Sequence, residues 1–322
     1  MYSSNTTDSA GLLFRDTRVL LFDLWRVIAI AMVIFSHVSI TTGYPLNQFS
    51  VNYFPWKTWG EVGVTLFLIL SGLSLEYNYG QKKMTFGSYY LRRIIRIYPV
   101  YYMSLMSGLV TNFAIALWAT VHHGKSFGFM QGFDLIDFLL TATGFNAFAG
   151  KWGGTLIWSS WFIGLIMTLY LFYPIISSGT KRNPWLCIFL LLFISMTSRF
   201  YTAHSSVLSG NPLQWFPLNR IFEFSLGVFL ISVINRESFL RFNKWLSHIR
   251  YLSFFSALSF PLFLIHDPFR RFIHIGHGDM KSLIIGITFF LFISFSVSTS
   301  ALMIDRKIQQ ILLQRDNPGT AA

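Results

Sequence analysis

Residues 23–37, DLWRVIAIAMVIFSH, hold three ionisable side chains, Asp23, Arg26 and His37, in an otherwise mostly apolar run. The run extends over 19–40, about the 20 residues a helix needs to cross a bilayer. A charged side chain at the centre of such a helix is unfavourable by roughly 2.5–3.5 kcal/mol on insertion scales. Arg26 and His37 are eleven positions apart. At about 3.6 residues per turn that is almost three turns, so the two share one helix face about 16 Å apart. Asp23 stands three positions before Arg26 on the same face, close enough to pair with it. A polar stripe of this kind normally faces a bundle interior or a water-filled cavity and marks a substrate or proton path. The plainer alternatives are an interfacial Asp23–Arg26 pair with Arg26 snorkelling to the headgroups, and a His37 that only bonds a neighbouring helix.

Composition sets the solvent. Of 322 residues 53% are hydrophobic, 18% aromatic and 12% charged, and 35 are Phe. Soluble domains carry about 25% charged residues, so the expected class is all-α, a polytopic membrane helix bundle. The lone Cys187 lies in an apolar run, which leaves no disulfide framework and no cysteine metal site within one chain. The net charge of +12 is read as Lys and Arg of cytoplasmic loops against anionic lipid heads, not as nucleic-acid binding, because no compact basic domain is present to carry it.

Spans are expected at 19–40, 60–79, 97–120, 156–177, 184–201, 218–235, 251–268 and 282–304. A weaker stretch, 135–148, is a re-entrant or interfacial segment or part of an extra pair, which allows up to ten. Eighteen mostly polar residues precede the first span and no small-residue cleavage site follows it, so it is not read as a cleaved signal. Lys82, Lys83, Arg92, Arg93, Arg96, Lys181, Arg182, Arg236, Arg241, Lys244, Arg250, Arg306, Lys307 and Arg315 fall in alternate loops and the tail. That bias puts both termini in the cytoplasm, with Arg270, Arg271 and Lys281 as the exceptions. The expected division is a segment 1–18, a single transmembrane domain 19–304 and a tail 305–322.

Several motifs follow in order: Arg26 and His37 in the first span, FLILSGLSL (67–75), RRIIRIYPVYY (92–102), WFIGLIMTLYLFYP (161–174), NRIFEFSLGVFL (219–230) and LSFPLFLIHDPF (258–269). Together they resemble the membrane-bound acyltransferase-3 family, which moves acyl groups, often acetyl, onto extracytoplasmic sugars. The resemblance runs from about residue 19 to 304. It departs from the family at Ile166, where many members carry a Glu, and in span number, which is usually ten.

The resemblance implies that His37 is the catalytic histidine, with Arg26 on the inner half of the stripe and Asp23 supporting it. Imidazole suits the task, because its unperturbed pKa of about 6.5 lets it take a hydroxyl proton. Whether it acts as base or first carries the acyl group stays open. The implied donor is acyl-CoA, acetyl-CoA in the commonest case, a substrate and not a tightly bound cofactor. Arg93 and Arg96 are assigned to its phosphates, since guanidinium binds phosphate in bidentate fashion; topology signal and lipid contact are the alternative, and the better reading of Lys82 and Lys83. The acceptor implied is an extracytoplasmic glycan or glycolipid, and the location a plasma (inner) membrane.

Arg220 and Glu223, one turn apart, are candidates to bond sugar hydroxyls or to form a structural ion pair. His266 and Asp267 are weaker candidates for acceptor binding, with an interfacial cap beside Pro268 the favoured role. Ser71 and Gly72 are expected to let helices approach. His122, His123, His274 and His277 are scattered in loops without metal-ligand spacing. No G-x-S-x-G elbow and no phosphate loop of the Walker type is present. A solute or lipid-linked sugar carrier using the same stripe is the competing class; it would show two similar halves.

Overall fold

The computed structural model describes residues 19–42, 58–82, 85–124, 134–151, 156–205, 208, 210–233, 246, 248–249, 251–276 and 280–314. The segment 1–18, the basic residues Lys83, Arg236, Arg241, Lys244, Arg250 and Arg315, and His277 lie outside them, as do the side chains of His123 and His274.

The described residues are mostly helical, with short turns between the helices and no strand among them. The long helices are α1 (Leu20–Thr42), α2 (Trp59–Tyr79), α3 (Phe86–His123), α5 (Trp161–Arg182), α6 (Pro184–His204), α8 (Pro217–Val233), α9 (Leu252–Phe269) and α10 (Met280–Gln314). Two short helices, α4 (Leu135–Thr143) and α7 (Pro212–Trp215), stand between them. Among the described residues, eight segments are long and apolar enough to cross a membrane. The weak stretch resolves as α4, nine residues followed by a 3-10 turn, Asn146–Ala149. At about 1.5 Å per residue α4 is too short to span. It is capped by Asp134, which also pairs with Lys151 at 3.2 Å. The Lys151 ammonium and two backbone amides hold that carboxyl below its ordinary value.

One expectation needs correction. The third span does not begin at 97: Thr85 caps α3, which runs from Phe86, so Arg92, Arg93 and Arg96 stand on a helix and not in a loop. Likewise α10 continues to Gln314, so 305–314 is helical. Hydropathy marks only the lipid-crossing part of each helix, and the polar turns beyond it are invisible to that signal.

The tightest seam joins α2 and α8. A Cβ on Gly72 would overlap the carbonyl oxygen of Phe224, and one on Gly227 would overlap the carbonyl oxygen of Ile69. Small residues let membrane helices approach until their backbones touch. Beside this seam lies a buried charge cluster. Arg199 on α6 donates to Glu223 at 2.6 Å and to the carbonyl of Asn219 at 2.8 Å, and Arg220 donates to Thr65 Oγ1 at 2.8 Å and stands 3.5 Å from Glu223. All three charged side chains are at most 2% exposed.

Helix α9 packs on α1, α3 and α10. Pro268 has no N–H to give to the carbonyl of Leu264, and that carbonyl instead accepts Ser104 Oγ of α3 at 2.7 Å and Ser159 Oγ at 3.4 Å. The first turns of α1, the first turns of α3 and the last turns of α10 share one face of the bundle, where Arg26, Arg96 and Gln309 line a common cavity.

Gly227→Ala is expected to push α8 off α2 and destabilise by about 1–3 kcal/mol, the usual cost of overpacking. Gly87→Ala, where a Cβ would meet nothing within 4 Å, should be tolerated; thermal unfolding in detergent compares the two. Glu223→Ala strands two buried guanidinium groups and is expected to destabilise by about 3–5 kcal/mol, read in the same assay.

Candidate active site

The polar face of α1 opens at its two ends into two cavities. The cavity near its start has a volume of about 490 Å³. Arg26, Lys82, Arg92, Arg93 and Arg96 line it, with no carboxylate among the described lining residues. The cavity near its end, of about 330 Å³, is lined by His37, His266, Asp267, Arg220, Arg270, Glu61 and Gln214, together with Trp158 and Trp161.

The basic cavity is built by six helices, α1, α2, α3, α5, α9 and α10. Asp23, 1% exposed, is fastened to α9 by Ser256 Oγ at 2.6 Å. It pairs with Arg26 at 3.3 Å, and Arg26 donates to Ser74 Oγ of α2 at 2.6 Å. The guanidinium of Arg26 is thereby aimed across the cavity from α1. On α3 the guanidinium of Arg93 lies 4.8 Å from the ring centre of Tyr79 and donates to its hydroxyl at 2.5 Å. Arg96 donates to Gln309 of α10 at 3.1 Å. Lys82 belongs to this wall as well, beyond the role in topology expected of it. Ile166 lines it too and gives the basic cavity an apolar patch.

The histidine cavity departs more from expectation. His266 is no interfacial cap: it is fully buried, and its Nε2 lies 2.6 Å from Nδ1 of His37. Its own Nδ1 lies 2.8 Å from the carbonyl oxygen of Leu262. On α9, His266 stands ten positions beyond Ser256, about 15 Å along the axis, so the helix that holds Asp23 near its start also meets His37 near its end. Asp267 turns away to accept the backbone N–H of Trp158 at 2.6 Å and to face Arg270 at 3.4 Å, which ties the end of α9 to the wall bearing the two Trp.

Arg220 reaches the cavity wall, but Glu223 lines neither cavity. Its partners are Arg199 and Arg220, so the structural ion pair is the arrangement found. Three polar contributors escaped the sequence reading. Arg199 had a signal, a charge inside an apolar run. Glu61 had one too, since Thr58 and Glu61 form a reciprocal cap at the start of α2. Gln214 of the four-residue α7, which donates to Glu61, had none. His122 stands apart from both cavities, bonded to the carbonyl of Trp118.

Between the cavities stands Phe263, 4% exposed and lining both. Its ring centre lies 4.8 Å from that of Phe162 and 5.6 Å from that of Phe67, both on the wall of the basic cavity. A hollow lined by five cationic side chains and an imidazole pair are thus held on one helix face with an aromatic partition between them.

No curated protein and no solved structure matches the chain. The family model described as an acyltransferase domain, that of acyltransferase-3, matches residues 20–297. The chain therefore belongs to the acyltransferase-3 family, and it is a multi-pass membrane acyltransferase.

Proposed function

We propose that the protein is an acyl-CoA-dependent O-acyltransferase of a plasma (inner) membrane, which moves an acyl group, acetyl in the simplest case, onto a hydroxyl of an extracytoplasmic glycan. The observation that carries this reading is the pairing of two unlike cavities along α1. One offers five cations, suited to the phosphates of CoA. The other offers two imidazoles beside two Trp, two carboxylates, two guanidinium groups and an amide, groups that stack on and hydrogen-bond a sugar ring. Positive residues mark the cytoplasmic side, so the basic cavity faces the CoA pool and the histidine cavity the outside.

In this mechanism Arg93, Arg96 and Arg26 hold the phosphates, and Asp23 keeps Arg26 in place through Ser256 and Ser74. The acyl end of the donor reaches past Phe263. The imidazole of His37 takes the acceptor's hydroxyl proton as the oxygen attacks the thioester carbon. The C–S bond breaks, the CoA thiolate leaves, and the proton passes from His37 to the sulfur. Partition of the two hollows keeps bulk water from the thioester until an acceptor occupies the outer one.

Membranes containing the protein should release CoA thiol when given acetyl-CoA and an acceptor glycan, and His37→Ala should lower that release by roughly 10²–10⁴-fold, the usual worth of a general base, without loss of fold. Unchanged turnover would remove His37 from the chemistry. Arg93→Ala and Arg96→Ala should each raise the KM for acetyl-CoA about tenfold or more, because hydrogen bonds to charged groups are worth ~1.5–3 kcal/mol. Added salt should raise the wild-type KM in the same direction. Phe263→Ala should increase acceptor-independent hydrolysis of acetyl-CoA, measured as thiol released per acyl group transferred; a ratio equal to wild type would contradict a role in excluding water.

A further inference from the structure

We infer that His266 is a positioning residue that fixes the tautomer of His37 and leaves Nε2 of His37 as the basic atom offered to the outer cavity. The inference deepens the proposed function and rests on it for the identity of the proton that is taken.

Geometry carries the assignment. Nδ1 of His37 and Nε2 of His266 are 2.6 Å apart. The ring centres are 4.8 Å apart and the planes 22° from parallel. That centre separation is nearly the N···N distance plus the two ring radii, so the bonded nitrogens lie between the centres. The rings therefore meet edge to edge, almost coplanar, as an in-plane N–H···N bond requires. One proton must sit between them, and the far end of the pair decides whose it is. Nδ1 of His266 lies 2.8 Å from the Leu262 carbonyl oxygen, which can only accept, so that nitrogen carries hydrogen. A neutral imidazole has one N–H and one lone pair. Nε2 of His266 is then the lone pair, and the proton in the shared bond belongs to Nδ1 of His37.

The opposite tautomer of His37 would set two lone pairs against each other at 2.6 Å. Turning over His266 as well would oppose its Nδ1 lone pair to the Leu262 oxygen. A backbone carbonyl inside α9 thus sets the tautomer of a ring on α1 through one intervening histidine. Among the described residues that shared bond is the one hydrogen bond His37 makes, and its other nitrogen stands in a ring that lines the outer cavity.

The consequence for transfer is direct. When Nε2 of His37 takes the hydroxyl proton, the new imidazolium already donates from Nδ1 to His266, so the positive charge forms against a waiting acceptor. No rotation of the ring is needed before Nε2–H returns its proton to the departing thiolate. Outer hydrogen-bond partners of metal-bound histidines commonly change activity by about 10–100-fold when removed, and the partner of His37 is expected to act on the same scale.

The test is 15N NMR of histidine-labelled protein in detergent or nanodiscs, with the His37 signals assigned by comparison with His37→Gln. Wild type should show a protonated Nδ1 and a bare Nε2 on His37. In His266→Leu that preference should be lost, and kcat for acetyl-CoA turnover in membranes should fall roughly 10–100-fold with the KM for acetyl-CoA unchanged. His266→Gln, whose side-chain oxygen can accept the Nδ1–H, should restore part of kcat and the tautomer. A protonated Nε2 on His37 in the wild type would overturn the inference, as would full kcat in a folded His266→Leu. Should His266→Leu fail to fold, the wild-type spectrum decides alone. A wild type that releases no CoA overturns the proposed function instead, and the spectrum, which needs no substrate, still decides the tautomer.

Discussion

Ionisable groups are stable inside an apolar bundle only when other helices supply their partners. In α1 every such group has one. Asp23 is held by Ser256 of α9, Arg26 by Ser74 of α2, and His37 by His266 of α9. These contacts fix the rotation of α1 about its axis, because each is short and each comes from the same face. Had the helix turned by half a revolution, the same three side chains would meet lipid tails. The position of both cavities follows from that single orientation.

The two ends of the stripe ask for different surroundings. A phosphate-bearing ligand needs several cations with access to water. An imidazole that moves a proton needs a drier place with one fixed hydrogen-bond partner. The bundle separates them by the Phe67–Phe162–Phe263 cluster, which adds no polar atom and closes the space between. The buried Arg199–Glu223–Arg220 cluster serves a different end. It holds α6, α8 and α2 together behind the outer cavity, and only Arg220 reaches its wall.

Much of this was legible in the amino-acid chain. The eight spans follow from hydropathy, and the shared face of Asp23, Arg26 and His37 from helical spacing. Arg26, Arg93 and Arg96 line one cavity, the grouping that the proposed donor site needs. What the chain could not reveal was contact between distant segments. Nothing in the local pattern of LSFPLFLIHDPF says that His266 faces inward and not the membrane surface, since a residue beside Pro268 suits either. Gln214 and Glu61 are 153 positions apart and meet only in the folded bundle. Polar helix ends, such as Phe86–Arg96 and 305–314, escaped because hydropathy reports lipid contact and not helix length.

The central claim is that donor and acceptor approach from opposite faces of the bundle. Proteoliposomes of uniform orientation, given radiolabelled acetyl-CoA on the side of Arg93 and glycan only on the side of His37, test it most directly. Label should appear on the glycan across the bilayer while the CoA stays behind. Label appearing only when both substrates share one side would contradict the account.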